Sequence, residues 1–430
     1  MADRLTRELG VFGAVMMGLG SIVGTGVFVS IGIAAGVAGP AVVLAVAIGA
    51  VVATCNGLSS AQLAANHAVS GGTYEYGYEF LRPAFGFTAG WMFLVAKSAS
   101  AATAALGFSG YLLGAVGLDA ETWLVPVALA AVAVLTLVVL SGIRRSNVAN
   151  IAIVSVTLSS LAFFVIGGSP TAFADGTENV ANFFAAPDGG SGIGNLLFAS
   201  ALLFVAYTGY GRIATLGEEV REPRTTIPRA VIATLLVTMT LYAAVAAVGI
   251  GAVGAEGLSR AARQGAAPLE AAARSFGIPG APQIMALGAV TAMLGVLLNL
   301  LLGLSRVLLA MGRRRDVPAL FGRLNEAGTT PVYATLAVGA GIGGIALLGD
   351  VRVAWTFSAF TVLVYYALTN LAALFIPEEG RLYPKWVSGA GLLFCASLAF
   401  FVDVWVWTTG IGLIAAGLVW HAAARRLRAG

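Results

Sequence analysis

Long apolar runs, each about 20 residues long and separated by short charged segments, dominate this 430-residue chain. Hydrophobic residues make up 59% of the sequence and charged residues 10%, whereas about 25% of an ordinary soluble domain is charged. A run of this length spans the hydrocarbon core of a bilayer as one helix. The sequence therefore predicts an integral membrane protein with about twelve spans, centred near residues 24, 53, 100, 132, 157, 204, 239, 296, 340, 364, 393 and 414.

The apolar runs are continuous and do not alternate between polar and apolar positions. Backbone groups in lipid must bond to one another, so only helices and closed barrels span a membrane, and continuous runs indicate helices. The 56 glycines let such helices approach closely. We predict an all-α integral membrane fold, with residues 1–430 forming a single transmembrane domain that lies in contact with membrane lipid.

Basic residues are unevenly divided between the loops. If the N-terminus is cytoplasmic and twelve spans alternate, the outer side receives only Arg260, Arg263, Arg274 and Arg352. The inner side receives most of the other arginines, as the positive-inside rule requires. We therefore expect a multi-pass protein of the cytoplasmic (inner) cell membrane with both termini in the cytoplasm.

Two of the runs are interrupted by glycines and hydroxyl groups. The first contains four glycines, Ser21 and Thr25 between Gly18 and Phe28, and the sixth contains similar residues between Phe204 and Arg212. Close helix contact alone can explain such glycines. Paired interruptions in corresponding halves, however, are typical of a transporter site. Their spacing of five spans predicts a five-plus-five inverted repeat with helices 1 and 6 broken, repeat one covering about 10–168, repeat two about 190–376, and two accessory C-terminal helices about 385–425.

A break in a helix exposes groups that suit a zwitterion. The half-helix that begins near Thr25 presents N–H groups and a positive dipole end to a carboxylate, while an ammonium group would bind carbonyls near the same breaks. Tyr207 or Tyr210 can close over a small side chain. The predicted substrate-binding residues are Ser21, Ile22, Val23, Gly24, Thr25, Gly26, Phe204, Val205, Ala206, Tyr207, Thr208, Gly209 and Tyr210.

Lys97 is one of two lysines in the chain and lies within the third run. About eleven residues beyond the start of that run, it would be about 16 Å deep, near the bilayer midplane. Burial disfavours the charged ammonium, so Lys97 is our candidate group for taking up and releasing a coupling proton, or for a fixed cation where other carriers bind sodium. The alternative is a structural lysine capped by carbonyls or by hydroxyls such as those of Ser98 and Ser100.

Other polar residues in the runs are weaker candidates. Arg212, near the inner end of the sixth run, is a possible inner-gate or structural residue, and Thr157 and Thr291 are possible gate or ion-site residues that can equally bond across helices. Glu218 and Glu219 are expected to tie the sixth span to basic loop residues or to be solvated.

The sequence resembles the amino acid-polyamine-organocation (APC) superfamily at several separate blocks. These are Gly20-Ser-Ile-Val-Gly-Thr-Gly-Val-Phe28, Ala38-Gly-Pro40, Ser70-Gly-Gly-Thr-Tyr-Glu-Tyr76, Gly90-Trp91, Ala206-Tyr-Thr-Gly-Tyr210, Gly217-Glu-Glu-Val-Arg-Glu-Pro223, Ile227-Pro228 and Ser305-Arg306. The resemblance implies the five-plus-five fold, alternating access, amino acid substrates and a site formed by the two broken spans.

The chain departs from two patterns of that superfamily. Cationic amino acid carriers commonly have an acidic residue after the aromatic residue of the span-six motif, but Gly211 and Arg212 occupy that stretch here. This favours neutral substrates. Many proton-coupled members have a lysine in span five, seven residues after an asparagine, but here the residue seven beyond Asn150 is Thr157.

These observations predict secondary active transport of small neutral amino acids, with H⁺ as the expected coupling ion. An amino acid exchanger, a polyamine or cationic amino acid carrier, and a substrate sensor that does not transport remain alternatives. No Gly-x-x-x-x-Gly-Lys-Ser/Thr loop for ATP occurs, and the net charge of +4 is too dispersed for nucleic-acid binding. No enzyme, cofactor or metal site is expected, because the two histidines and two cysteines are not clustered.

Overall fold

The computed structural model describes residues 9–67, 71–141, 147–189, 192–214, 220–326 and 330–429. Within these ranges the chain is helical, and the only β-type pairing is a bridge between Leu9 and Val220. The first eight α-helices are α1 Val11–Ile22, α2 Ile31–Ala38, α3 Val42–Asn66, α4 Thr73–Phe80, α5 Pro83–Val116, α6 Ala120–Leu140, α7 Asn147–Asn179 and α8 Gly192–Tyr207. The other eight are α9 Gly211–Ala214, α10 Pro223–Gly265, α11 Pro268–Arg274, α12 Ala281–Arg313, α13 Val332–Ala346, α14 Val351–Leu374, α15 Lys385–Leu398 and α16 Val404–Ala429.

Most of these helices are apolar enough to lie in a membrane. Among the described residues, nine helical segments have the length and hydropathy of a membrane span. One of them, Val11–Asn66, is 56 residues long, enough for two crossings of about 20 residues each. Two shorter apolar helices are α13 and α15. The predicted all-helical membrane architecture is therefore confirmed, while the number of twelve spans stays a prediction.

Helix α10 changes direction inside its long run. Gly254 has φ 68° and ψ 171°, a conformation that other residues avoid, and it divides α10 into a long first part and a short second part. The second part and α11 are short helices in the alanine-rich sequence between Gly254 and Pro279.

Polar side chains inside the bundle mainly join one helix to another. Asn370 of α14 donates to the side-chain oxygen of Asn56 in α3. Gln62, also in α3, donates to the Ser388 hydroxyl of α15 at 3.2 Å. Such bonds are expected where lipid offers buried polar groups no other partner. Asn56 and Gln62 therefore join α3 to neighbouring helices of the bundle.

Candidate substrate site

The first predicted break lies between α1 and α2. Helix α1 ends at Ile22, and Val23 has an extended backbone with φ −79° and ψ 100°. A π-helical segment, Gly26–Ser30, then leads into α2, and the Val27 and Phe28 amides both donate to the Gly24 carbonyl at 3.1 Å. The chain therefore stops one helix and begins another beside Gly24, as the glycine-rich sequence predicts.

The second break lies at the end of α8. A 3₁₀ turn, Thr208–Tyr210, separates α8 from the short helix α9. The two breaks pack directly against each other, and a Cβ atom added to Gly26 would lie 2.7 Å from Ala206 Cβ and 2.8 Å from Ala206 Cα. A Cβ on Gly209 would likewise overlap the Ser21 carbonyl. Only glycine at these two positions allows the backbones to approach so closely.

A small cavity of about 40 Å³ lies where the two breaks meet. A cavity of this volume holds a few water molecules. The residues that line it are Ser21, Ile22, Thr25, Gly26, Lys97, Ser100, Val205, Ala206, Thr208, Gly209, Val296, Leu300 and Trp355.

Lys97 of α5 lies in the wall of this cavity. Its side chain is buried, and Nζ donates to the Thr208 hydroxyl at 2.9 Å, within the second break. No aspartate or glutamate is among the lining residues. Ser100 lies beside it, but its hydroxyl pairs with that of Ser358 at 2.7 Å. The cavity therefore holds a cationic side chain whose neighbour is a neutral hydroxyl.

Thr25 is the second polar group of interest. Its side chain is 4% exposed, lines the cavity, and its hydroxyl has no hydrogen-bond partner among the described residues. A buried hydroxyl without a partner is costly, and a ligand in the cavity can supply that partner.

Tyrosine hydroxyls occupy several carbonyls of the broken segments. Tyr242 of α10 donates to the Ile22 carbonyl at 2.9 Å and to the Ala206 carbonyl at 3.3 Å. Tyr366 of α14 donates to the Thr208 carbonyl at 2.9 Å. These bonds stabilise the breaks, and the Thr208 carbonyl also accepts a hydrogen bond from the backbone amide of Gly211.

The structure brings together some of the predicted site residues. Besides Lys97, eight of the thirteen predicted substrate-binding residues line the cavity, namely Ser21, Ile22, Thr25, Gly26, Val205, Ala206, Thr208 and Gly209. Val23 and Gly24 form the break without lining the cavity, and Gly24 packs against Val296.

The three aromatic residues predicted for the sixth span lie outside the cavity wall. Tyr207 donates to the Val46 carbonyl of α3 at 3.3 Å. The rings of Phe204 and Tyr210 each pack against Tyr366, with centroids 5.5 Å apart. These three residues therefore connect the second break to α3 and to Tyr366 of α14, on the side away from the cavity.

The possible gate and ion-site residues are also outside the cavity wall. Thr157 donates to the Ile153 carbonyl and Thr291 to the Leu287 carbonyl, both at 2.8 Å and both within their own helices. Arg212 lies in α9, beyond the second break. Glu218 and Glu219 lie outside the described residues.

Sequence reasoning missed the apolar wall of the cavity. Val296 and Leu300 of α12 and Trp355 of α14 line it, and Trp355 is oriented by a 3.0 Å hydrogen bond from its indole N–H to the Leu202 carbonyl. These residues stand in ordinary apolar runs, where no local signal distinguishes them from residues that face lipid.

Many apolar helices, with two interruptions that meet at a polar cavity, define a multi-pass membrane protein of the transporter class. The sequence model of the amino acid permease family matches residues 13–425. The chain therefore belongs to the amino acid permease family. The resemblance to the superfamily is confirmed, as is the prediction that the chain is a transporter and not an enzyme.

Individual relatives cover most of the chain. An uncharacterized transporter of Mycobacterium tuberculosis is 40% identical over 424 residues, which are 98% of this chain and 92% of the relative. The branched-chain amino acid permease of Bacillus subtilis is 27% identical over 428 residues, which cover 92% of this chain and 88% of the relative. Cationic amino acid transporter 7 of Arabidopsis thaliana is 27% identical over 394 residues, covering 86% and 65%.

Proposed function

We propose that the chain is a secondary active transporter that carries small neutral amino acids by alternating access. The observation that carries this proposal is the shared cavity at the two breaks, which combines an unpartnered Thr25 hydroxyl with the Lys97 ammonium group. The same cavity includes backbone of both broken segments. A molecule with a carboxylate and an ammonium group finds donors and acceptors there within one small space.

We further propose that the spans number twelve and that the first ten form a five-plus-five inverted repeat. Repeat one would cover about 10–168, repeat two about 190–376, and the accessory helices about 385–425. One feature supports this arrangement: the Val11–Asn66 segment is long enough for two spans, and the breaks then lie in the first and sixth spans. The proposed location is the cytoplasmic (inner) cell membrane, with both termini in the cytoplasm. In this orientation the distribution of arginines between the loops obeys the positive-inside rule.

The charges of the cavity favour a substrate whose side chain is neutral. A cationic side chain would lie near Lys97 with no carboxylate among the lining residues to neutralise it. The relatives are named for branched-chain and for cationic amino acids, so their names alone do not separate these substrates. The absence of acidic lining residues is the argument for neutral amino acids, and Val296, Leu300 and Trp355 supply an apolar wall for a small side chain.

Lys97 is the proposed proton-coupling group. A buried ammonium group with a neutral neighbour is costly, and either loss of its proton or arrival of a substrate carboxylate removes that cost. Proton binding and substrate binding then favour each other in the same cavity. This linkage would let a proton gradient drive uptake.

Counterflow in proteoliposomes tests this function. Vesicles loaded with an unlabelled amino acid should transiently and saturably accumulate the labelled form of the same amino acid without ATP. This counterflow should occur with small neutral amino acids and not with lysine or arginine. An inward pH gradient should increase net uptake. Binding without counterflow would identify a sensor. Counterflow confined to lysine, arginine or polyamines would contradict a neutral substrate. Uptake that does not change with pH would contradict proton coupling and favour exchange.

A further inference from the structure

A second cavity, of about 200 Å³, lies at the arginine-rich C-terminal ends of α12 and α16. Residues of α4, the start of α5, the segment after α12, and α16 line this open cavity. Its lining residues are Tyr78, Pro83, Arg314, Asp316, His421 and Arg425. None of them takes part in the proposed transport site.

Arg314 is held in a fixed orientation in this cavity. Its guanidinium forms an ion pair with Glu75 and lies over the Tyr78 ring, 4.5 Å from the centroid. Contact with an aromatic face and a carboxylate restricts a long side chain that would otherwise sample many rotamers. The guanidinium is thus positioned before any ligand arrives, which lowers the entropic cost of binding one.

Asp316 is used for internal bonds. Its Oδ2 accepts hydrogen bonds from the Tyr74 hydroxyl at 2.7 Å and the Tyr78 hydroxyl at 2.6 Å. Burial, and then the Asp316 carboxylate, raise the pKa of both phenols, so they stay protonated and donate to it. His421 Nδ1 lies 3.5 Å from Asp316 Oδ1. Asp316 therefore lines the cavity with its carboxylate already engaged by these neighbours.

Arg425 leaves a positive charge at the mouth of the cavity. Arg314 is matched by Glu75, whereas Arg425 is exposed and is not among the ion pairs found in the described part of the chain. Arg313 and Arg315 stand nearby in sequence and add further positive charge. The surroundings therefore favour an anion that can reach both guanidinium groups.

The surface beside the cavity is apolar. Phe85 next to the start of α5 is 40% exposed, and Val419 and Trp420 on α16 are 70% and 48% exposed. Trp420 donates its indole N–H to the Asp316 carbonyl at 2.8 Å, which fixes an aromatic ring at the rim. In a membrane protein an exposed apolar surface faces lipid chains, and tryptophan is frequent at the level of the headgroups.

We propose that this cavity binds a phosphate-bearing anion between Arg314 and Arg425, and that the phosphodiester of an anionic membrane lipid is its source. The two guanidinium groups would hold the headgroup phosphate while the exposed apolar surface contacts the acyl chains. The bound lipid joins α4, α12 and α16 into one unit. This binding does not depend on which solute the central cavity carries.

Thermal unfolding of the purified full chain in a neutral detergent tests the proposal. Phosphatidylglycerol should raise the unfolding midpoint by about 3 °C at a concentration far above its Kd, and zwitterionic phosphatidylcholine should raise it less. The Arg425→Gln variant should lose at least half of the shift. The matched control Arg426→Gln, which removes the adjacent charge outside the cavity, should keep it. Inorganic phosphate forms a third arm, and a shift with phosphate as large as that with the lipid would identify free phosphate as the source.

Native mass spectrometry gives a second readout should Arg425→Gln be too unstable for the melting experiment. Wild type and Arg426→Gln should retain one phosphatidylglycerol molecule per chain under conditions that strip the lipid from Arg425→Gln. Equal lipid retention and equal thermal shifts in all three proteins, or no response of the wild type to either phosphatidylglycerol or phosphate, would overturn the proposal.

Discussion

Gly26→Ala is expected to reduce amino acid uptake at least tenfold although the protein still inserts into the membrane. The added methyl group would lie 2.7 Å from Ala206 Cβ and 2.8 Å from its Cα, so the backbones at the two breaks would have to separate. Overpacking of this kind costs about 1–3 kcal/mol, and a tenfold loss of activity corresponds to about 1.4 kcal/mol. Initial uptake rates, normalised to the amount of reconstituted protein, measure the effect.

Gly303→Ala is the matched control for this substitution. Gly303 lies in the helix α12, and a Cβ atom there would meet nothing within 4 Å. The control should transport as the wild type does. The double variant Gly26→Ala with Ala206→Gly should recover part of the loss, because it removes one of the two close contacts. Wild-type uptake by Gly26→Ala would show that the close approach of the breaks is unimportant for transport.

Lys97→Gln should abolish the pH dependence of uptake and lower the rate at acidic pH about tenfold or more. Glutamine can still bond to the Thr208 hydroxyl but cannot carry a proton in exchange with the solvent. Lys97→Arg should also lose the pH dependence, because arginine stays protonated, although it keeps the positive charge. Uptake measured from pH 5.5 to 8.5 at a fixed amino acid concentration tests both variants.

A structural lysine would behave differently from a coupling group. If Lys97 mainly stabilises the bundle, its replacement by glutamine lowers the unfolding temperature. If it is the coupling group, the unfolding temperature stays equal or rises, because a costly buried charge has been removed. Lys385→Gln, which removes the other lysine at the start of α15, should change neither the unfolding temperature nor the pH dependence of uptake. If uptake by Lys97→Gln remains pH-dependent, Lys97 is not the coupling group.

The sequence predicts the breaks themselves well, because their cause is local. Gly24 and Gly26 interrupt an apolar run, and the structure ends α1 at Ile22 and starts the next helical segment at Gly26. The turn at Thr208–Tyr210 is likewise marked by a central glycine. A backbone that leaves the helical ladder in lipid needs such residues, so their positions can be read directly from the chain.

The contacts of the site could not be read in the same way. We expected a structural Lys97 to bond to Ser98 or Ser100 nearby, but its partner is Thr208, which is 111 residues away. Tyr207 and Tyr210 were natural candidates for closing the site, but the 3₁₀ turn directs the Tyr207 hydroxyl to α3 and packs Tyr210 on Tyr366. Such orientations depend on the rotation and packing of whole helices, which a local pattern does not contain.

The apolar and aromatic surroundings of the site illustrate the same limit. Trp355 lines the cavity and Tyr242 bonds to both breaks, but each lies in a helix whose sequence is apolar on several sides. In a membrane both lipid and protein neighbours are apolar, so hydrophobicity does not reveal which side faces the site.

The central claim, that substrate binds where the two breaks meet, is tested most directly by protection of a single cysteine. In a chain whose buried Cys55 and Cys395 are replaced by alanine, Ser21→Cys places a thiol in the cavity wall, and Ser141→Cys places one at the exposed end of α6 as a control. The neutral amino acid with the strongest counterflow should slow maleimide modification at position 21 at least fivefold, with the concentration dependence of transport, and leave position 141 unchanged. Equal modification of the position-21 thiol with and without saturating amino acid, in a variant that still transports, would contradict the account.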